Sequence, residues 1–235
     1  MASKSFQIDS NLTVTVFKRR GNKNLKLSLG HNGQVRVSIP VWAPYRAGVD
    51  FAKSRRQWII DQQINPIVLK DGQAIGKAHH LKLVVSPNIN KLSSRTSSTE
   101  IKINIPAGMN TDDPEVQKAA ARACIRALRN QSEQLLPKRL LYLAEKYQFE
   151  YKSVSVKQLK SRWGSCDSQK NIVLNLFLMQ LPWHLIDYVL LHELTHTKVL
   201  KHDSKFWSQM ERVCPNSKLL KKELGSYKPA LTSLA

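Results

Sequence analysis

Apolar and polar residues alternate through residues 12–41, in "LTVTVFKRR" and again in "LKLSLGHNGQVRVSIP". That two-residue period predicts half-buried strands, and Asn32-Gly33 between two such runs predicts a hairpin turn. In "YRAGVDFAKSRRQWIIDQQI" (45–64), Val49, Phe51, Ala52, Trp58, Ile59 and Ile64 are spaced to give a helix one buried face. Two further alternating runs, "HLKLVV" (80–85) and "EIKINIP" (100–106), predict strands. The polar, Ser-rich "SPNINKLSSRTSST" between them predicts an exposed loop. Residues 1–106 therefore read as a small β-rich domain with one helix.

The period changes after residue 106. Thr111 or Asp112 can cap a helix that has Pro114 in its first turn. Helical spacing continues through "VQKAAARACIRALRNQSEQLL", meets Pro137, and resumes in "KRLLYLAEKY", leaving either a kink or a fresh start at the proline. "SVSVKQL" (153–159) and "NIVLNLFL" (171–178) predict strands flanking "KSRWGSCDSQK", and Pro182 opens another helix. Residues 107–235 form the second predicted domain, and the fold class is α+β.

Charge narrows the partners. The 235 residues carry 37 Lys+Arg against 17 Asp+Glu, a net charge of +20 spread along the chain rather than gathered in a tail. Such a field favours phosphate-rich or acidic partners without specifying one, so nucleic acid is a candidate partner through the basic surface. The alternative is a surface of solvated lysines. Cys124, Cys166 and Cys214 are odd in number and far apart, which suggests neither a disulfide framework nor a zinc knuckle. The N-terminus has no continuous apolar segment of a secretory signal. No apolar run approaches the roughly 18–20 residues of a membrane span. A cytoplasmic, soluble protein is expected, and oligomeric state is left open.

The chemistry concentrates in "VLLHELTHTKVLKHDSKFW" (189–207). His192 and His196 are four residues apart, one turn along the same helix face, so two imidazole nitrogens can meet one ion at about 2.0–2.1 Å. Glu193 lies beside them and can take a proton from water; this is the H-E-x-x-H arrangement of zinc metallopeptidases. A catalytic zinc needs a third protein ligand and an open position. On a continuous helix His202 would lie about 240° around from His196 and face away, so the helix must end first. Asp203 or Ser204 can cap a new helix, "KFWSQMERVC", leaving His202 in the turn, where it can fold back onto the ion. Glu211 and Glu223 are the alternative third ligands. "TKVLK" offers no Gly or Asn for a left-handed turn residue.

Other candidates weigh less. Cys166 as a nucleophile has no assignable base. His79 and His80 would point to opposite faces of a strand and are expected at the surface, whereas Phe206 and Trp207 are expected in the core. Arg162, Tyr188 and Tyr227 are candidates for stabilising an oxyanion.

"KSRWGSC" (160–166), "NIVLN" (171–175), "IDYVLLHELTH" (186–196) and "HDSKFW" (202–207) occur in the order seen in the YgjP-like, SprT-related zincin metallopeptidases. The chain resembles that family across residues 107–215. "RRGNKNLKLSLGHNGQVRVSIP" and "RRQWI" also resemble its leader domain. The resemblance implies a zincin-like metallopeptidase domain preceded by the small β-rich domain. It further implies His192, His196 and His202 as zinc ligands, Glu193 as the catalytic glutamate, and an edge strand near "RWGSC" beside the cleft. Protein or peptide would be the substrate. Two alternatives stand beside it: a nucleic-acid-associated module with a structural metal, and a peptidase acting on nucleic-acid-bound proteins.

Overall fold

The structure, a computed structural model, describes residues 3–9, 12–29, 34–64, 68–159 and 161–227. Two compact units divide the chain, residues 1–68 and 69–235.

The first unit is a four-stranded sheet with helices. Strands β1 (Ser3–Asp9), β2 (Leu12–Arg19), β3 (Lys26–Leu29) and β4 (Val35–Pro40) are ordered β1-β2-β4-β3. β1/β2 and β3/β4 are antiparallel, and β2/β4 is parallel. β1 was not apparent in the sequence: "SKSFQID" is largely exposed and carries only a weak apolar alternation. The predicted Asn-Gly turn lies outside the described residues, but its flanking strands pair with Leu29 opposite Val35. The alternation is realised as a buried row of Leu12, Val14, Val16, Val35, Val37 and Ile39. Helix α1 (Tyr45–Ser54) lies on that row. A Cβ on Gly48 would fall 2.6 Å from Val16 Cγ1, so glycine is what lets the helix approach the sheet this closely. The single helix expected over 45–64 is two, because the chain breaks helical geometry at Arg55 before α2 (Arg56–Ile64).

The second unit begins before the predicted boundary at 106. Strands β5 (Ala74–Ile75), β6 (His79–Ser86), β7 (Ser93–Thr96) and β8 (Glu100–Pro106) form a sheet ordered β5-β6-β8-β7. This sheet packs on helix α3 (Pro114–Tyr147), because Ile101, Ile103 and Ile105 share a core with Val116, Ala120, Ala127 and Leu128. Sequence alternation identified the strands but not the partner of their buried face. The predicted exposed loop contains β7, whose polar residues pair with the edge of β8.

α3 is one continuous 34-residue helix with Pro137 inside it, so neither a fresh start nor an end occurs there. Proline removes the bond to the carbonyl four residues earlier. That carbonyl belongs to exposed Glu133, where water can replace the donor. Leu136, Leu140 and Leu143 meanwhile anchor the helix in the core. Its N-cap is Asp113 rather than Thr111 or Asp112.

Strands β9 (Ser153–Lys157), β10 (Gly164–Cys166) and β11 (Asn171–Asn175) form a third sheet, ordered β10-β11-β9, with β10 at its edge. A 3-10 turn (Leu176–Gln180) follows, then α4 (Trp183–His196), α5 (Ser204–Val213) and α6 (Ser217–Ser226). The Arg139 guanidinium grips the Asp187 carboxylate with two bonds of 2.6 and 2.7 Å, tying α3 to α4. Among the described residues, no helix is long and apolar enough to cross a membrane.

Candidate metal centre

α4 is apolar nearly all round, with Leu185, Ile186, Val189, Leu190, Leu191 and Leu194 buried. A helix of that kind belongs in a core, and it carries Glu193 and His196 in with it, 5% and 9% exposed. It stops where the third histidine requires. Thr197 Oγ1 donates to the Leu194 carbonyl at 2.8 Å, and the Val199 amide still bonds to Thr195. No described residue between 197 and 203 needs positive φ, so the absence of Gly or Asn is no obstacle. Asp203 Oδ1 then accepts the Phe206 amide at 3.1 Å and starts α5.

The turn brings His202 back over α4. Its Nε2 lies 3.0 Å from His192 Nε2 and 3.1 Å from His196 Nε2. An imidazole nitrogen offers either one proton or one lone pair, directed in the ring plane. His202 Nε2 therefore cannot satisfy both neighbours by hydrogen bonding. Three nitrogens bound tetrahedrally at about 2.0–2.1 Å to one ion would stand roughly 3.3–3.4 Å apart; the two spacings from His202 are within a few tenths of that, and all three ligand atoms lie within 4.8 Å of one another.

Electrostatics act in the same direction. Burial, with the neighbouring His196 and His202, pushes His192 down to about 3, and burial lowers His196. Both imidazoles are thus neutral at physiological pH and carry lone pairs. The His196 tautomer is fixed by its other nitrogen: Nδ1 is 3.1 Å from the Val199 carbonyl, so it carries the proton and donates it, leaving Nε2 free for a ligand. Among the described residues, His192 Nδ1 is buried without a hydrogen-bond partner, which costs stability. The three histidines can hold a metal ion.

Phe206, expected simply in the core, is the floor of the site. It is fully buried, and its ring centroid lies 4.9, 4.6 and 4.7 Å from those of His192, His196 and His202. Half-buried Trp207 stands 6.1 Å from His202. Neither alternative carboxylate joins the cluster. Glu211 accepts from the Asn216 amide and Ser217 Oγ, both at 2.8 Å, at the start of α6. Glu223 lies 2.7 Å from His184 Nε2.

Glu193 packs against the edge strand. Burial pushes its carboxyl up to about 8, against the opposing pull of the Arg162 charge. A Cβ on Gly164 would fall 2.7 Å from Glu193 Oε1 and 2.8 Å from its Cγ, so the missing side chain in "WGS" is the space the glutamate occupies. The segment before Gly164 is held by Asn175, which is 3% exposed. Its Nδ2 donates to the carbonyls of Leu159 and Arg162 at 2.9 and 2.8 Å, and its amide donates to the Trp163 carbonyl at 2.8 Å. Sequence reading missed both residues as parts of the site. A glycine where the resemblance implied an edge strand was one available signal, and Asn175 closes the motif "NIVLN", but neither was given a role.

The remaining candidates fall away from the chemistry or stay beside it. Burial, with Glu193 and Asp167, pushes the Cys166 thiol up to about 11, away from a nucleophilic thiolate. Tyr188 lies 6.1 Å from His192 and is pushed up to about 12 by burial, whereas Tyr227 is 39% exposed. His79 is buried rather than at the surface: Nδ1 accepts from Gln131 Nε2 at 2.7 Å, and Nε2 donates to the Ser97 carbonyl at 3.0 Å. Of this pair, His80 is the exposed one.

The sequence profile of the YgjP-like family, described as a metallopeptidase domain, matches residues 23–227. The chain belongs to this family. As a YgjP-like protein it is a metal-dependent peptidase of mixed α+β fold. No curated protein matches it significantly. Among solved structures it is similar to the metallopeptidase zymogen of Pyrococcus abyssi abylysin, with 23% identity, 38% of this chain and 91% of that one covered, and a TM-score of 0.36. The zymogen of Methanocaldococcus jannaschii jannalysin gives 21% identity, 38% and 90% coverage, and a TM-score of 0.34. These are local likenesses, and the family assignment does not depend on them.

Proposed function

We propose that this YgjP-like peptidase uses zinc, held by Nε2 of His192, His196 and His202, with Glu193 as the general base. A three-imidazole set suits zinc and leaves a fourth position open. The bound ion supplies Lewis-acid polarisation of the scissile carbonyl. Glu193 accepts a proton from the attacking water and returns it to the leaving nitrogen, and Gly164 on edge strand β10 fixes where that carboxylate stands. Arg162 is the cation whose charge reaches Glu193, and it favours the ionised form that the base needs. The convergence of three Nε2 atoms beside a buried carboxylate is the observation that carries this reading.

The test pairs metal analysis with hydrolysis of a peptide library. The Glu193→Gln protein should retain wild-type zinc stoichiometry and lose hydrolysis by several orders of magnitude. Normal cleavage by that variant would refute the assigned base. Protein that binds no zinc after reconstitution would refute the metal assignment.

A further inference from the structure

The first unit holds eleven Lys and Arg against three Asp and no Glu, an imbalance that the peptidase chemistry does not use. α1 covers one face of its sheet, and on the other face the described residues are mostly exposed or half-buried. Alternation and register identify what that second face carries. Phe17 lies on β2 opposite Ser38 of β4, and Lys26 of β3 is opposite that same Ser38. Arg36 lies two residues away on β4, with its guanidinium 5.8 Å from the Phe17 ring centroid. Arg19 ends β2 on this face.

Lys26, Arg36 and Arg19 are exposed and Phe17 is half-buried. Apart from these residues, the described part of the face carries Ser, Thr, Gln and the buried Pro40, with no carboxylate. Asp9, the nearest acid on these strands, is bonded by Arg56 Nε at 2.8 Å. Lys18 belongs to the opposite face, where it donates to the Val41 carbonyl at 3.0 Å and lies over Tyr45. Trp42, in the turn two residues past the Pro40 that pairs with Arg19, is 79% exposed.

We propose that this face binds single-stranded nucleic acid, with Phe17 and Trp42 stacking on bases and Arg19, Lys26 and Arg36 meeting phosphates. Cations and hydroxyls around an aromatic ring, without carboxylates, complement a phosphate backbone with unstacked bases. A four-stranded sheet is about 14 Å across at about 4.8 Å per strand spacing, too broad to enter a duplex major groove about 12 Å wide. An acidic polypeptide would match the charge but would not need the rings. This surface belongs to the first unit and the three histidines to the second, and its test does not require hydrolysis.

The experiment measures fluorescence anisotropy of the full-length protein with a labelled, mixed-sequence oligonucleotide of about twenty nucleotides, at about 50 to 200 mM salt. Binding should weaken steeply with salt. Lys26→Glu/Arg36→Glu should lower affinity at least tenfold and reduce the log–log salt slope by about 1.4, for two lost phosphate contacts. Phe17→Ala/Trp42→Ala should lower affinity about tenfold or more with little change in that slope. The control Lys118→Glu/Lys138→Glu, on exposed positions of α3, makes the same change in net charge and should leave affinity within about threefold. Several results would overturn the proposal: no binding at the lowest salt, an equal loss in the control, no effect of removing the rings, or tighter binding of the matching duplex. Competition by polyglutamate as effective as that of unlabelled single strand would reassign the face to acidic protein.

Discussion

The buried Glu193 should make the metal-free protein less stable at the pH where the enzyme would work. An ordinary glutamate titrates at 4.5, and burial pushes Glu193 up to about 8. With the folded value raised, the unfolded chain ionises first as pH rises, while the folded chain still holds its proton. Folding stability is therefore lost progressively from pH 4.5 to 8 and then levels off. At about 1.4 kcal/mol per pH unit, the full interval corresponds to up to about 5 kcal/mol. Gln resembles the protonated acid in shape and never ionises. The Glu193→Gln protein, stripped with EDTA, should match wild type near pH 4.5 and exceed it by several kcal/mol at pH 8. Urea unfolding of both proteins across that range measures the difference; groups that do not feel the Glu193 charge, His192 included, cancel, and Cys166 and Tyr188, which do feel it, titrate above that range. A difference that does not change with pH would refute burial as the state of this carboxylate.

Gly164→Ala should push the Glu193 carboxylate out of place, since the new Cβ would lie 2.7 Å from Oε1. A loss of about 10²-fold in kcat is expected from such misplacement, with zinc content unchanged by elemental analysis. His202→Ala should weaken zinc binding by orders of magnitude in a chelator competition while circular dichroism reports intact helices; unchanged affinity would move the third ligand elsewhere. Phe206→Ala should cost about 3–5 kcal/mol of stability in urea unfolding, because it empties a fully buried ring site beneath all three imidazoles. Asn175→Ala should cost about 1–3 kcal/mol, since it strands the Leu159 and Arg162 carbonyls, and should lower kcat more than it changes zinc content.

Local chemistry explains which parts of this arrangement were legible from sequence. The i, i+4 spacing of His192 and His196 and the capping signal at Asp203 each involve residues close in the chain, and both survive folding as read. Reading His202 as a third ligand required that α4 end before it, and Thr197 and Val199 supply that ending without a left-handed residue. What was not legible depends on partners far apart in sequence. Alternation in "EIKINIP" showed that one face is buried but not that α3 buries it, so the unit boundary was placed at 106 rather than near 68. His79 looked like a surface residue because its partners, Ser97 and Gln131, lie 18 and 52 residues away. Pro137 looked like a break because its local cost is visible in sequence and the leucine packing that offsets it is not.

The same distinction accounts for how the site is made. The helix brings its imidazoles into a low-dielectric setting, which keeps them neutral and able to donate lone pairs, but the same burial works against an ionised Glu193. The edge strand resolves that conflict through geometry and charge. Gly164 leaves room for the carboxylate, Asn175 holds the backbone on either side of Trp163, and Arg162 brings the compensating charge. On the proposed mechanism, a change on β10 can therefore alter the base without touching a ligand, and a change at His202 can alter the ligand set without moving the base. Catalysis and metal affinity should accordingly separate under mutation, with zinc content following the α4–α5 turn and turnover following β10.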